Sequence, residues 1–167
     1  MTVIAVLVGN PQPSSRTRLV AEEVAAQIAA RSGAEILPTI DLATLADRIF
    51  VVPEPEIDGL RDRIAEADLV VVASPTYKGA YTGLLKAFLD RYGANGLARV
   101  AAVPILTIGS PAHGLAVEHT LRPLLVELGA SVPTRGIAFP AAEADDRARI
   151  VGDWLDAEWH RLSRVFG

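Results

Sequence analysis

Three short segments carry residue types suited to holding an anionic, flat ligand. The first reads Gly9-Asn10-Pro11-Gln12-Pro13-Ser14-Ser15-Arg16-Thr17, between an apolar run and a helical pattern. Its short polar side chains can donate inward, and the helix that follows offers free N–H groups and the positive end of its dipole. Together these hold a phosphate without a lysine. The segment is neither a Walker loop, lacking Gly-Lys-Ser/Thr, nor a Gly-x-Gly-x-x-Gly dinucleotide fingerprint. Taken alone it also reads as a plain turn with an N-cap. The second segment is Ser74-Pro75-Thr76-Tyr77-Lys78-Gly79-Ala80-Tyr81-Thr82-Gly83. Pro75 stiffens the exit from a strand, while Gly79 and Gly83 let the backbone and its amides approach a planar heterocycle. The third, Thr107-Ile108-Gly109-Ser110-Pro111-Ala112-His113-Gly114, is small and polar and suits the edge of the same ring.

Other chemistries are excluded or poorly served. The chain has no cysteine, which removes disulfides, thiolate metal sites, thiol nucleophiles and cysteine-ligated iron–sulfur clusters. A formal charge of −4 argues against a nucleic-acid partner. His113, His119 and His160 do not cluster with carboxylates at metal-ligand spacing, so no metal site is expected. His113 lies near Ser110, but no Gly-x-Ser-x-Gly elbow accompanies it, and it reads as a loop residue. Trp154 and Trp159 fall on a helical face and read as packing residues. The N-terminal residues start directly as an apolar strand with no basic leader, and no apolar run approaches the roughly 18 residues that span a bilayer. A cytoplasmic protein without membrane attachment is the expectation.

The elements that must position these segments follow from periodicity. Residues 3–8, 69–73 and 100–108 are continuous apolar runs, as in parallel strands buried on both faces. Residues 34–40 and 131–139 are weaker strand candidates, the second interrupted by Pro133 and so placed at an edge. Val20, Val24 and Ile28 recur at helical spacing before a stop at Gly33. Ile57, Leu60 and Ile64 mark a second helix, and Leu84, Leu85, Phe88 and Leu89 a third with Thr82 as its N-cap. Residues 115–128 give a fourth helix closed by Gly129, and Ile150, Val151, Trp154, Leu155, Leu162 and Phe166 line a last one. Five strands alternating with five helices predict a single α/β domain over 1–167, an open doubly wound parallel sheet of order 2-1-3-4-5 with helices on both faces. Residues 41–56 are the longest irregular stretch and lie over a site or a subunit contact in this reading. Ligands of such sheets bind beyond the carboxyl ends of the strands where the order reverses, which gathers the three segments at one edge. Pro123 falls inside the fourth helix and cannot donate to the carbonyl of His119, so a kink or π-bulge is expected there.

The three segments in this order resemble the NADPH-dependent FMN reductase family of the flavodoxin-like superfamily, and within it the alkanesulfonate-type reductases that partner two-component monooxygenases. The likeness is carried by residues 9–19, 74–90 and 112–125. It implies that Asn10, Gln12, Ser15, Arg16 and Thr17 surround the phosphate of FMN, that Pro75, Thr76, Tyr77, Lys78 and Gly79 border the isoalloxazine, and that Thr107, Gly109 and Ser110 complete the ring's polar edge. Asn10 stands where the family usually has serine and Gln12 where it has arginine, which implies a modest hold on phosphate. His119 matches the inserted residue of a π-helix in these reductases and is implied to modulate flavin transfer. The implied reaction is hydride transfer from NADPH or NADH to FMN, which needs no catalytic base because the cofactors carry the chemistry. The implied partners are a monooxygenase that receives reduced flavin and further copies of the chain in a homodimer or homotetramer, in contact through the helix at 84–89 and the helix around His119. Arg16 is also a candidate for the 2′-phosphate of NADPH. The alternatives are an FMN-containing quinone, azo or metal-ion reductase and a flavodoxin-type electron carrier.

Overall fold

Side chains that alternate across a strand must find an apolar layer on each side, and this chain provides two. The computed structural model describes residues 2–167. Strands β1 (Val3–Val8), β4 (Leu69–Pro75) and β5 (Ala101–Ile108) form the centre of the sheet. Ala5, Leu7, Val70, Val72, Ala102 and Leu106 point into one core, whereas Ile4, Val6, Leu69, Val71, Val103 and Ile105 point into the other. The first core is roofed by α2 (Pro55–Ala65), α3 (Gly83–Leu89), a π-helix (Val117–Leu121) and α4 (Arg122–Glu127). The second is roofed by α1 (Arg16–Ser32) and α5 (Arg147–Leu162), where Val20, Val24, Ile28, Val151, Leu155 and Leu162 are buried. Trp154 and Trp159 pack on its rim, the latter stacked on Phe166.

All strand pairings are parallel. With β2 at Glu35–Ile36, β3 at Ile40–Asp41 and β6 at Ile137–Pro140, the order is β2-β1-β4-β5-β6, with β3 also on β1. The strand expected over 34–40 is in fact two short pieces, β2 (Glu35–Ile36) and β3 (Ile40–Asp41), which share one lane beside β1. Pro38 lies between them and has no N–H for the ladder. Counted by lanes, the order is the one expected. The edge strand β6 (Ile137–Pro140) starts later than expected, because Pro133 breaks the approach and Ser131 makes only an isolated bridge to Ala101.

The segment at 41–56 is not structureless. A 3₁₀ helix (Leu42–Arg48) buries Leu42 and Leu45, and Ile49 follows them inside. Arg91 holds the loop beyond by donating to the carbonyls of Ile49 (3.2 Å) and Val51 (2.9 Å) and to Asp58 (2.8 Å). Helix α3 spends most of its apolar face inside the protomer: Leu85, Phe88 and Leu89 are buried and only Leu84 is partly open. No helix among the described residues is long and apolar enough to cross a membrane.

Gly9 closes β1, and its reason differs from a turn's need for flexibility. A Cβ at Gly9 would stand 2.5 Å from the Cβ of Leu85, so its bare backbone is what lets α3 seat against the strand end. Gly59, in α2, faces open space. Gly9→Ala is expected to cost about 1–3 kcal/mol through overpacking, and Gly59→Ala to gain about 0.5–1 kcal/mol through helix propensity. Urea unfolding midpoints at constant m-value check both.

Candidate ligand-binding site

The loops after β1, β4 and β5 meet at the carboxyl edge of the sheet. In the first, Asn10 is buried and its amide works in both directions. Its Oδ1 accepts from the Gln12 amide (2.9 Å), and its Nδ2 donates to Thr17 Oγ1 (3.1 Å) in the first turn of α1. The hydroxyls of Thr17 and Thr107 share a hydrogen bond of 2.9 Å, which joins α1 to the end of β5. Ser15 caps α1 by accepting from the Arg18 amide (3.2 Å). Behind the loop, the buried carboxylate of Asp41 accepts from the Ser14 amide (3.3 Å) and lies 3.6 Å from the Arg18 guanidinium. Arg18 is held above its ordinary pKa first by its hydrogen bond to Glu22, and Asp41 adds to this. Arg16 is exposed and forms no ion pair among the described residues.

The second loop is built on two buried hydroxyls. Ser74 Oγ donates to the Pro75 carbonyl (2.7 Å) and accepts from the Thr82 amide (3.0 Å). Thr82 Oγ1 accepts from the Leu85 amide (3.1 Å), as an N-cap should, and donates to the Gly9 carbonyl (2.5 Å). One threonine thus starts α3 and ties the first loop to the second. Between them Tyr77 and Ala80 exchange backbone bonds of 2.8 and 3.2 Å around Lys78 and Gly79, at φ +54° and +81°. That is the signature of a type I′ hairpin turn. In the third loop, Ser110 Oγ accepts from the Ala112 amide (3.3 Å) and opens a 3₁₀ turn (Pro111–His113).

Asn10, Gln12, Ser15, Arg16, Thr17, Pro75, Thr76, Thr107 and Gly109 line one cleft of about 480 Å³, together with Ile108 and Ala141. Thr76 is shared with a wider space of about 700 Å³ lined by Tyr77, Lys78, Gly79 and His113. Gly109 is shared with a third, of about 390 Å³, that Ser110 also lines. Every residue expected at the site from sequence therefore borders these adjoining spaces. His119 does not, for it is exposed on the π-helix, and the histidine that reaches the site is His113. Two more contributors have no local signature. Asp41 acts by a bond to the distant Ser14 amide, and Ala141 arrives from beyond β6. Thr82 is the N-cap the sequence announces, and its further bond to the Gly9 carbonyl is what the sequence does not show.

The cleft passes a chemical test for FMN. Thr76 Oγ1 is buried without a hydrogen-bond partner in the protein, so it is free to bond a ligand or a water in the cleft it lines. No carboxylate among the described residues lines the cleft or the wider space, while Arg16 stands in the first and Lys78 in the second. Neutral donors, a helix start and an unpaired arginine suit a phosphate, and an open backbone hairpin suits a ring with polar atoms on its rim. No cluster of His, Asp and Glu that could hold a metal occurs among the described residues.

A parallel sheet of this order with a phosphate-type loop at its switch point defines a flavodoxin-like α/β protein. The family model for NADPH-dependent FMN reductase matches residues 1–144, and the chain belongs to that family. It is 41% identical over 103 residues to an FMN reductase (NADPH) of Pseudomonas aeruginosa, a match over 61% of this chain and 54% of that one. It is 32% identical over 153 residues to the NADH-dependent FMN reductase SfnE of Pseudomonas putida, over 87% of this chain and 80% of that one. Among solved structures it is similar to the apo form of an NADH:FMN oxidoreductase (EMOB), with a TM-score of 0.85, 32% identity, and 98% and 90% of the two chains covered. The chain spans about half the length of several of the curated relatives it matches.

The π-helix bears out the fault expected at Pro123. The Arg122 amide reaches back to the Val117 carbonyl, one residue further than an α-helix allows. The turn is pinned from outside. Glu118 Oε1 accepts from the Gly136 amide (2.6 Å), and Arg122 donates to the carbonyls of Val132 (2.9 Å) and Thr134 and pairs with Glu118. A Cβ at Gly136 would lie 2.6 Å from Val117 Cγ2, so the contact is a tight one. Burial works to raise the pKa of Glu118, but Arg122 and the Gly136 amide outweigh it and hold the carboxyl below its ordinary value. A carboxyl depressed in the folded state adds stability that is present above its unfolded value, near 4.5, and lost as pH falls through the folded value. Glu118→Gln is therefore expected to lower stability at neutral pH and to flatten the loss of stability below about pH 4.5. Denaturant unfolding of both proteins across pH 3–7 reads this out.

Proposed function

We propose that the chain is an NAD(P)H-dependent FMN reductase that brings FMN and NADPH or NADH together and releases reduced flavin to a partner monooxygenase. When bound, FMN supplies the ring that accepts the hydride. What the chain supplies is position. Gln12, Ser15 and Arg16 hold the phosphate over a floor set by Asn10 and Thr17, Pro75 and Thr76 with the backbone of Tyr77, Lys78 and Gly79 border the ring, and Thr107, Gly109 and Ser110 meet its polar edge. The observation that carries the reading is the buried, unpartnered hydroxyl of Thr76, standing where the phosphate cleft opens into the wider space. Family membership supports it from a separate direction.

Residues 1–167 act as one flavin-binding domain in this reading. Delivery of reduced flavin to a monooxygenase extends the likeness to the alkanesulfonate-type reductases, with His119 as modulator of transfer. Assembly as a homodimer or homotetramer is supported by Leu115 and Val126, which flank His119 and are 66% and 54% exposed.

Titration of FMN followed by fluorescence quenching, with NADPH and NADH oxidation recorded in parallel, tests the reading. Saturable binding and turnover of free FMN are expected. Flavin retained throughout turnover, with quinone as the better acceptor, would favour the quinone-reductase alternative, and binding without nucleotide oxidation would favour an electron carrier. Thr76→Val is expected to weaken FMN binding by about three- to tenfold while leaving the thermal midpoint unchanged or higher, because it removes a buried hydroxyl that the protein itself leaves unpaired.

A further inference from the structure

Lys78 occupies a position that its backbone conformation disfavours. Where both central residues of a two-residue hairpin have positive φ, any Cβ comes close to a carbonyl oxygen; glycine escapes this, asparagine and aspartate offset it with a local hydrogen bond, and lysine does neither. Gly79 suits its place, and Lys78, at φ +54°, does not. The chain carries two lysines. Lys86 pairs with Asp90 at 2.6 Å, whereas Lys78 is exposed and forms no ion pair among the described residues. A strained, unpaired cation at the rim of a wide space contributes nothing evident to the fold.

The same space is faced by His113, which ends the 3₁₀ turn after β5 and is half-buried. At Thr76 it adjoins the cleft that holds Arg16, so each of the two joined spaces has its own unpaired cation and no carboxylate among the described residues. FMN carries a single phosphate and takes one of these positions. The other is left for a second anion, and the remaining reactant of an FMN reductase, the reduced dinucleotide, carries phosphates.

We propose that Lys78 and His113 form a phosphate subsite for the nicotinamide dinucleotide, which holds it over the space bordered by Thr76 and Gly79. This rests on the FMN-reductase reading. The rigid hairpin fixes the base of the lysine, and the imidazole adds a second donor from the neighbouring loop.

The test uses the full chain loaded with FMN and two variants, Lys78→Asn, which suits the turn, and His113→Gln, which keeps a donor without the ring. NADP⁺ and NAD⁺ are titrated calorimetrically at low and high salt, and FMN affinity is measured separately by fluorescence. Lys78→Asn is expected to raise the Kd for NADP⁺ about tenfold and to reduce its salt dependence. Because the ring is bordered by the backbone of Lys78 and not by its side chain, any fall in FMN affinity should be smaller than the fall in nucleotide affinity, and the thermal midpoint should be unchanged or higher. An effect on NADP⁺ alone assigns the contact to the 2′-phosphate and an equal effect on NAD⁺ assigns it to the diphosphate, and either upholds the subsite. Unchanged nucleotide affinity in both variants, or FMN affinity that falls as far as nucleotide affinity, overturns it. A wild-type chain that binds no FMN overturns the reading beneath it, and that result is visible before either variant is made.

Discussion

The site depends on how closely α3 approaches the end of β1. Gly9 has no side chain to keep Leu85 away, and the hydroxyl of Thr82 reaches the Gly9 carbonyl at 2.5 Å. Thr82 in turn receives the Leu85 amide and gives its own amide to Ser74. Ser74 and Thr82 are buried, so each of these bonds is worth about 1 kcal/mol net, yet breaking one strands its partner at a larger cost. The first and second loops therefore move as one body. A ligand seated across them meets a preformed surface and does not have to draw two loops together.

The electrostatic design of the cleft is sparing. Its floor is a chain of neutral groups from Asn10 through Thr17 to Thr107, and among the described residues its only charged lining group is Arg16, at the exposed rim. The carboxylate of Asp41 lies behind the loop, taken up by the Ser14 and Ala43 amides and by Arg18. A negative charge thus shapes the first loop from outside the cleft. Neutral donors and one solvated guanidinium hold an anion less tightly than buried cations would. Such a hold suits a nucleotide that must also leave.

Much of this was legible in the chain. The residues between Ser74 and Gly83 announced a tight loop and an N-cap, and Pro123 announced a helix fault, because proline and capping chemistry act within a few residues of themselves. The family likeness implies Asn10 as a weaker phosphate ligand than serine, but its side chain is turned to the floor, where its length spans from Gln12 to Thr17. The need for glycine at position 9 arises from Leu85, 76 positions away, and so leaves no mark in the neighbouring residues. Asp41 and His113 carried no local pattern, since their importance comes from which loops the sheet order makes neighbours. Over 34–40 the apolar content masks the missing N–H of Pro38, which divides the strand into two short pieces.

The π-helix shows how a fault can be rigid. Pro123 removes a donor, yet the turn before it is fastened to the approach of β6 by Glu118, Arg122 and the close seat of Gly136 on Val117. The extra residue is accommodated by rotating the outer face of the helix, and His119, Leu115 and Val126 are left on the surface. His119 lines none of the three spaces of its own protomer. Any influence it has on the ligand must pass through the pinned backbone or across to a neighbouring copy of the chain. Of the two, the pinned backbone is the stiffer route, because Glu118 and Arg122 oppose any change in the register of the turn, whereas the exposed face is free to be covered.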